Sequence, residues 1–165
     1  ERAARYCFAE PLLVADSGIL VLSGSEYTGQ NPAQIIGKLA VLANSVEHRQ
    51  LVNNKQPALP VASIREAALA VLEGEAEALA CTLPALNQVM QEFAGAFTLI
   101  DAPPPLNMQH YSAFAFHRDN EAWVDEWNKA QRELHKDPAF LERVSQFGYK
   151  LPILQDTISA RCYEP

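Results

Sequence analysis

The order of residues predicts an α/β fold, a mostly parallel sheet with helices on both faces. Three observations carry that expectation. Continuous apolar runs such as Leu39-Ala40-Val41-Leu42-Ala43 and Ala78-Leu79-Ala80-Cys81 have the composition of strands buried on both sides. Helix starts follow them, at Ser45, at the capping box Ser63-Ile64-Arg65-Glu66, and at Thr82-Leu83-Pro84. Strand and helix then alternate, as in right-handed crossover units. With 165 residues, the chain has room for one or two compact units.

Taken in order, Leu12 to Ala15 and Gly18 to Leu22 read as two extended segments meeting at a turn at Asp16-Ser17. Asn31-Pro32 opens a short helix that Gly37 ends. After Leu39 to Ala43, Ser45 caps a helix through about Asn53. Leu59 to Ala62 is the next strand, and the helix after Ser63 closes at Gly74. Ala78 to Thr82 leads into a helix to about Phe93, and Phe97 to Asp101 forms another strand. Pro103-Pro104-Pro105 reads as a rigid loop, and Tyr111 to Phe116 alternates small and aromatic residues. Asp119 or Asn120 caps a helix with the stripe Trp123, Trp127, Ala130 and Leu134. Asp137-Pro138 opens a last one carrying Phe140, Leu141, Val144 and Phe147 on one face, and Gly148 stops it.

Composition excludes several classes. Acidic residues outnumber basic ones by 20 to 13, for a formal charge of -7, and no Lys/Arg cluster offers a path for a phosphate backbone, so no nucleic acid is expected. No apolar run approaches the roughly 20 residues that span a bilayer. The opening Glu1-Arg2-Ala3-Ala4-Arg5 lacks the regions of a signal peptide and begins without Met, which reads as a processed or truncated chain. Cys7, Cys81 and Cys162 have no zinc spacing; one bridge between Cys7 and Cys162, or three buried thiols, are both open.

In open α/β sheets ligands gather beyond the carboxyl ends of the strands, at the helix starts that follow. That singles out Asn44-Ser45-Val46 and Cys81-Thr82-Leu83, where free N–H groups and the helix dipole favour a carboxylate. The plainer reading is that Ser45 and Thr82 only cap their own helices. Catalysis is not expected. Cys81 has no histidine in a recognisable partner motif, the four histidines lack metal spacing, and there is no Gly-rich phosphate loop, so neither cofactor nor metal is expected.

Glu1-Arg2-Ala3-Ala4-Arg5-Tyr6-Cys7-Phe8-Ala9-Glu10-Pro11-Leu12 resembles the T-x-E-R-x-x-x-x-x-F-S-x-P-Y segment of the periplasmic solute-binding proteins of ABC importers, polar-amino-acid type. Further pieces follow in that family's order: Gly18 to Leu22, Ile36 to Val41, Ala43 to Val46, Leu72 to Ala78, Leu83-Pro84-Ala85 and Ala113 to Asp119. The resemblance implies a periplasmic-binding-protein type II lobe with the first lobe largely missing. It divides the chain into hinge and crossover strands (1–24), a second α/β lobe (25–110), and a return strand with C-terminal helices that pack toward the first lobe (111–165).

Carried over residue by residue, the resemblance makes Arg2 the two-pronged carboxylate anchor and places Asn44-Ser45-Val46 where the family has its G-S/T-T turn. Here one hydroxyl is kept and one lost. Cys81 and Thr82 complete the expected site, with Thr82 standing where the family carries the aspartate that pairs with a ligand ammonium. The implied function is non-enzymatic binding of a small, carboxylate-bearing solute, with a membrane permease as partner and an extracytoplasmic location. The receptor is expected to be a monomer when the first lobe is present. The alternative is a sensory input domain of a membrane kinase or a regulatory domain of a murein transglycosylase; a dehydratase-like enzyme finds no visible acid or base.

Overall fold

The computed structural model describes residues 5–27, 37–153 and, for the backbone, 161–162. Arg2 and the helix expected between Asn31 and Gly37 lie outside the described residues. Two compact units are present, one formed by Asp16–Gln109 and the other by Glu1–Ala15 with His110–Pro165.

The first of these holds the alternating elements: the end of β2 (Leu13–Leu22), β3 (Leu39–Leu42), α1 (Val46–Asn53), β4 (Ala58–Val61), α2 (Ile64–Leu72), β5 (Ala78–Thr82), α3 (Leu83–Glu92) and β6 (Phe97–Asp101). Its strands lie in the order β4-β3-β5-β2-β6. β3 pairs in parallel with β4 and β5, while β2 runs antiparallel to both β5 and β6. Every strand but β2 therefore points the same way. Both faces are covered because successive residues of β2, β3 and β5, which point to opposite faces, are apolar. Leu20, Ala40 and Leu79 face a cluster with Ala67, Ala68 and Val71 of α2 and Leu86 and Val89 of α3. Ile19, Val21, Leu39, Val41, Ala78 and Ala80 face the opposite cluster with Leu51 of α1 and Leu106. Pro60, which cannot donate to a ladder, sits on the edge strand β4.

The turn expected at Asp16-Ser17 is absent: β2 is continuous through both residues. Long-range partners hold them extended, since the Ser17 N–H donates to Met108 O at 2.9 Å and Gln109 Nε2 donates to Asp16 Oδ1 at 3.1 Å. Within β2, Gly18 lies opposite Cys81 on one side and Asp101 on the other. A Cβ there would stand 2.8 Å from Leu83 Cδ2 and 3.0 Å from the Cδ1 atoms of Leu86 and Leu99. Gly18→Val should therefore lower unfolding free energy by about 1–3 kcal/mol through overpacking, read as a lower denaturant midpoint at unchanged slope.

The second unit contains β1 (Tyr6–Phe8), the opening of β2, β7 (Gln109–Ser112) from His110 on, β8 (Ala115–His117), α4 (Ala122–Leu134), α5 (Pro138–Gln146), β9 (Tyr149–Lys150) and β10 (Arg161–Cys162). β1 lies between β8 and β10, antiparallel to both, with Cys162 opposite Cys7 in register. Cys7 is fully buried and disulfide-bonded, whereas Cys81 is a buried free thiol. Neither expected residue caps α4. Its N-cap is Glu121, preceded by a 3-10 turn over Arg118–Asn120 in which His117 Nδ1 accepts from the Asp119 N–H. The α4 stripe, which the resemblance turns toward the first lobe, is open here: Trp123 is 65% exposed, Trp127 37% and Leu134 38%, and the buried face is Val124, Asn128 and Gln131. Phe147 at the end of α5 is 57% exposed. Among the described residues no helix is long and apolar enough to cross a membrane.

Candidate functional site

The site is built where the strands of the Asp16–Gln109 unit end. Parallel neighbours β3 and β5 deliver Asn44-Ser45-Val46 and Cys81-Thr82 to the same edge of the sheet, each at the start of the following helix. Antiparallel β2 brings its beginning to that edge, with Ser17 opposite Thr82, and the end of β6 adds Asp101 opposite Gly18. Asp16, Ser17, Asp101, Ala102, Asn107, Met108 and Gln109 line an open cavity of about 340 Å³ there. Asp16 and Asp101 were not singled out by the sequence, because the first looked like a turn residue and the second like a strand end.

Asn44 makes the corner. Its φ of 63° is left-handed, a conformation asparagine tolerates better than most residues. Ser45 then does what a cap does: its Oγ accepts from the His48 N–H at 3.0 Å. His48 answers by accepting the Asn44 N–H on Nδ1 at 3.1 Å. Val46 is 36% exposed and brings no hydroxyl to the turn. Thr82 differs from Ser45, for it stands at the N-cap of α3 without a side-chain capping bond. Ser45→Ala should thus cost about 1 kcal/mol of stability, and Thr82→Ala distinctly less, in paired thermal melts.

Beneath the edge, Glu47 is 3% exposed in the first turn of α1, where the helix dipole favours a carboxylate. Burial first, and the charge of Glu47 second, push the Cys81 thiol up to about 11. Cys81 is therefore a protonated structural thiol at neutral pH rather than a nucleophile. An unfolded thiol ionises near pH 8.5–9, so stability should fall as pH rises from about 9 through 11, and Cys81→Ala should flatten that part of a stability–pH curve. Among the described residues no group of three or more His, Cys, Asp or Glu could hold a metal. A second cavity, about 390 Å³, lies in the other unit between Leu12, Phe114, Trp127, Ala130, Gln131 and Leu134, and its almost wholly apolar wall lacks the convergent polar groups of a solute site.

No protein-family model and no curated protein matches the sequence. Solved structures do. A P235GK mutant of ArgBP from T. maritima superposes with a TM-score of 0.71 at 14% identity, over 88% of this chain and 63% of that one. The fold is that of the periplasmic binding proteins. An arginine 3rd transport system periplasmic binding protein from Legionella pneumophila matches with a TM-score of 0.67 at 16% identity, over 87% of this chain and 65% of that one. The GluR0 ligand-binding core from Nostoc punctiforme, solved with L-glutamate, matches with a TM-score of 0.70 at 18% identity, over 88% and 66%. The chain thus spans less than two thirds of each of these structures.

Proposed function

We propose that this chain is the solute-binding part of an extracytoplasmic receptor that takes a small carboxylate-bearing ligand without chemically changing it and hands it to an ABC permease. The observation that carries the reading is the pairing of two helix starts, at Ser45 and Thr82, on one edge of a sheet whose fold is that of amino-acid-binding proteins. Orphan N–H groups of such helix starts suit a carboxylate. Arg2 is assigned the two-pronged grip on that carboxylate, with Asn44, Ser45 and Val46 supplying the turn and Cys81 and Thr82 the neighbouring wall. The disulfide at Cys7 supports an oxidising compartment. Calorimetry on the protein as its gene encodes it, against amino acids and the matching deaminated acids, tests the reading. Arg2→Ala should abolish carboxylate binding, and unchanged affinity in that variant would refute the anchor.

A further inference from the structure

The starts of α1 and α2 are built on one plan with a single chemical difference. In α2 the cap Ser63 accepts the Glu66 N–H on Oγ at 3.2 Å, and Glu66 Oε2 in turn accepts the N–H of Ala62, the residue before the cap, at 3.1 Å. In α1 the cap Ser45 accepts the His48 N–H, and His48 Nδ1 accepts the N–H of Asn44, again the residue before the cap. Both are reciprocal capping boxes, one closed by a carboxylate and the other by an imidazole. The difference matters because an imidazole nitrogen accepts only while it carries no proton, and imidazoles change charge in the range where carboxylates do not.

We propose that His48 is a proton-operated latch on the Asn44 N–H. While its Nδ1 is bare, His48 occupies that donor and holds the turn closed. A proton on Nδ1 turns the acceptor into a donor, breaks the bond, and frees the Asn44 N–H at the strand-end edge.

The charges around the ring make the consequence one-directional. α1 packs on β3 and β4, and neither Leu39-Ala40-Val41-Leu42 nor Ala58-Leu59-Pro60-Val61 carries a titratable side chain. On α1 itself the neighbours are Glu47, buried, and Arg49, exposed; the Cys81 thiol at the end of β5 faces Glu47 and is neutral below pH 9. A protonated His48 thus adds a positive charge beside the released N–H. Acid should favour an anion at the turn, and alkali should disfavour it. This consequence rests on the proposed carboxylate site, whereas the latch does not.

Amide and imidazole NMR of the labelled chain between pH 8 and pH 5 tests it, with the Ala62 amide as internal reference. The Asn44 amide shift should follow a curve with the same midpoint as the His48 ring, while Ala62 stays put. His48→Glu, which copies the plan of α2, should abolish the Asn44 titration and leave α1 intact. An Asn44 amide that ignores His48 protonation, or one that still titrates in the same way in His48→Glu, overturns the latch. Sulfate, whose charge is constant over this range, then serves as the anion probe. Stronger shifts of the Asn44 and Ser45 amides at pH 5 than at pH 8, lost in His48→Glu, support latch and site together. A titrating Asn44 amide with no sulfate response upholds the latch and counts against the carboxylate site alone.

Discussion

Gln131→Leu should be among the most damaging single substitutions in the unit that contains α4. Gln131 is 4% exposed, and its Nε2 donates to two carbonyls at once, Glu10 O at 3.1 Å and Pro11 O at 3.0 Å, while its Oε1 accepts from Trp127 Nε1 at 3.2 Å. Three residues earlier the equally buried Asn128 accepts the Glu10 N–H at 2.8 Å. One turn further on, His135 Nε2 lies 2.8 Å from Leu12 O. The backbone of segment 10–12 is thus tied to α4 at four atoms, Glu10 N–H and the carbonyls of Glu10, Pro11 and Leu12. A leucine of similar volume strands both carbonyls, at about 1–3 kcal/mol for each buried group left unsatisfied. Hydrogen exchange should show the Ala9 and Leu12 amides, which donate to Phe114 O and Ser112 O, losing protection while Leu20 and Leu79 keep theirs. Lys136→Gln is the control. Its ammonium pairs with Glu133 at the surface, so its loss should change little. Full protection of Ala9 and Leu12 in Gln131→Leu would show that α4 is held by something else.

How much of this fold was readable in advance depends on how local its causes are. The helices after β3, β4 and β5 begin where Ser45, Ser63 and Thr82 said they would, because a cap is decided by residues within one turn. The strands buried on both faces were equally legible, since Leu39 to Leu42 and Ala78 to Cys81 have no polar residue to turn outward. Asp16-Ser17 misled because its partners, Met108 and Gln109, are about 90 residues away in sequence, and a short polar pair in isolation is a turn signal. The period of α4 and its open apolar stripe follow from the sequence, whereas the polar face that it buries, Asn128 and Gln131, does not. Helical periodicity reports that a stripe exists, while the side that packs is set by partners, here the backbone of Glu10, Pro11 and Leu12. Trp123 is left outward and Trp127, packed on Phe114 and Phe116, is still 37% exposed, so the isolated chain should bind an apolar dye or self-associate on sedimentation.

The same logic divides the candidate site. The position of Asn44, Ser45 and Thr82 at one sheet edge follows from the sequence because helix starts after buried strands are visible in it. Asp16 was missed because only the antiparallel register of β2 brings it to that edge, and Asp101 because no helix start follows β6 to mark its end. His48 stands in no metal spacing or partner motif in the sequence. Its significance lies in a comparison with Glu66 that needs both hydrogen-bond pairs in view.

Thr82→Asp should convert the site's preference among ligands. Thr82 is half-buried at the N-cap of α3, next to the turn at Ser45 along the strand-end edge, and its hydroxyl makes no capping bond. Aspartate is a favoured cap and its charge suits the helix dipole, so the variant should be at least as stable as the parent. On the proposed reading a hydroxyl gives a ligand ammonium no charged partner, and the parent should bind an α-amino acid and its deaminated counterpart with similar affinity. A carboxylate supplies the charge-assisted bond, about 1.5–3 kcal/mol, so the variant should favour the amino acid by about 10- to 150-fold. Calorimetry on matched pairs such as glutamate and glutarate reads this directly. A parent that already shows such a preference would place the ammonium elsewhere on the edge, with Asp16 and Asp101 the carboxylates to replace by Asn. A variant that gains nothing would mean that Thr82 does not face the ligand, and the site assignment at the end of β5 would fall with it.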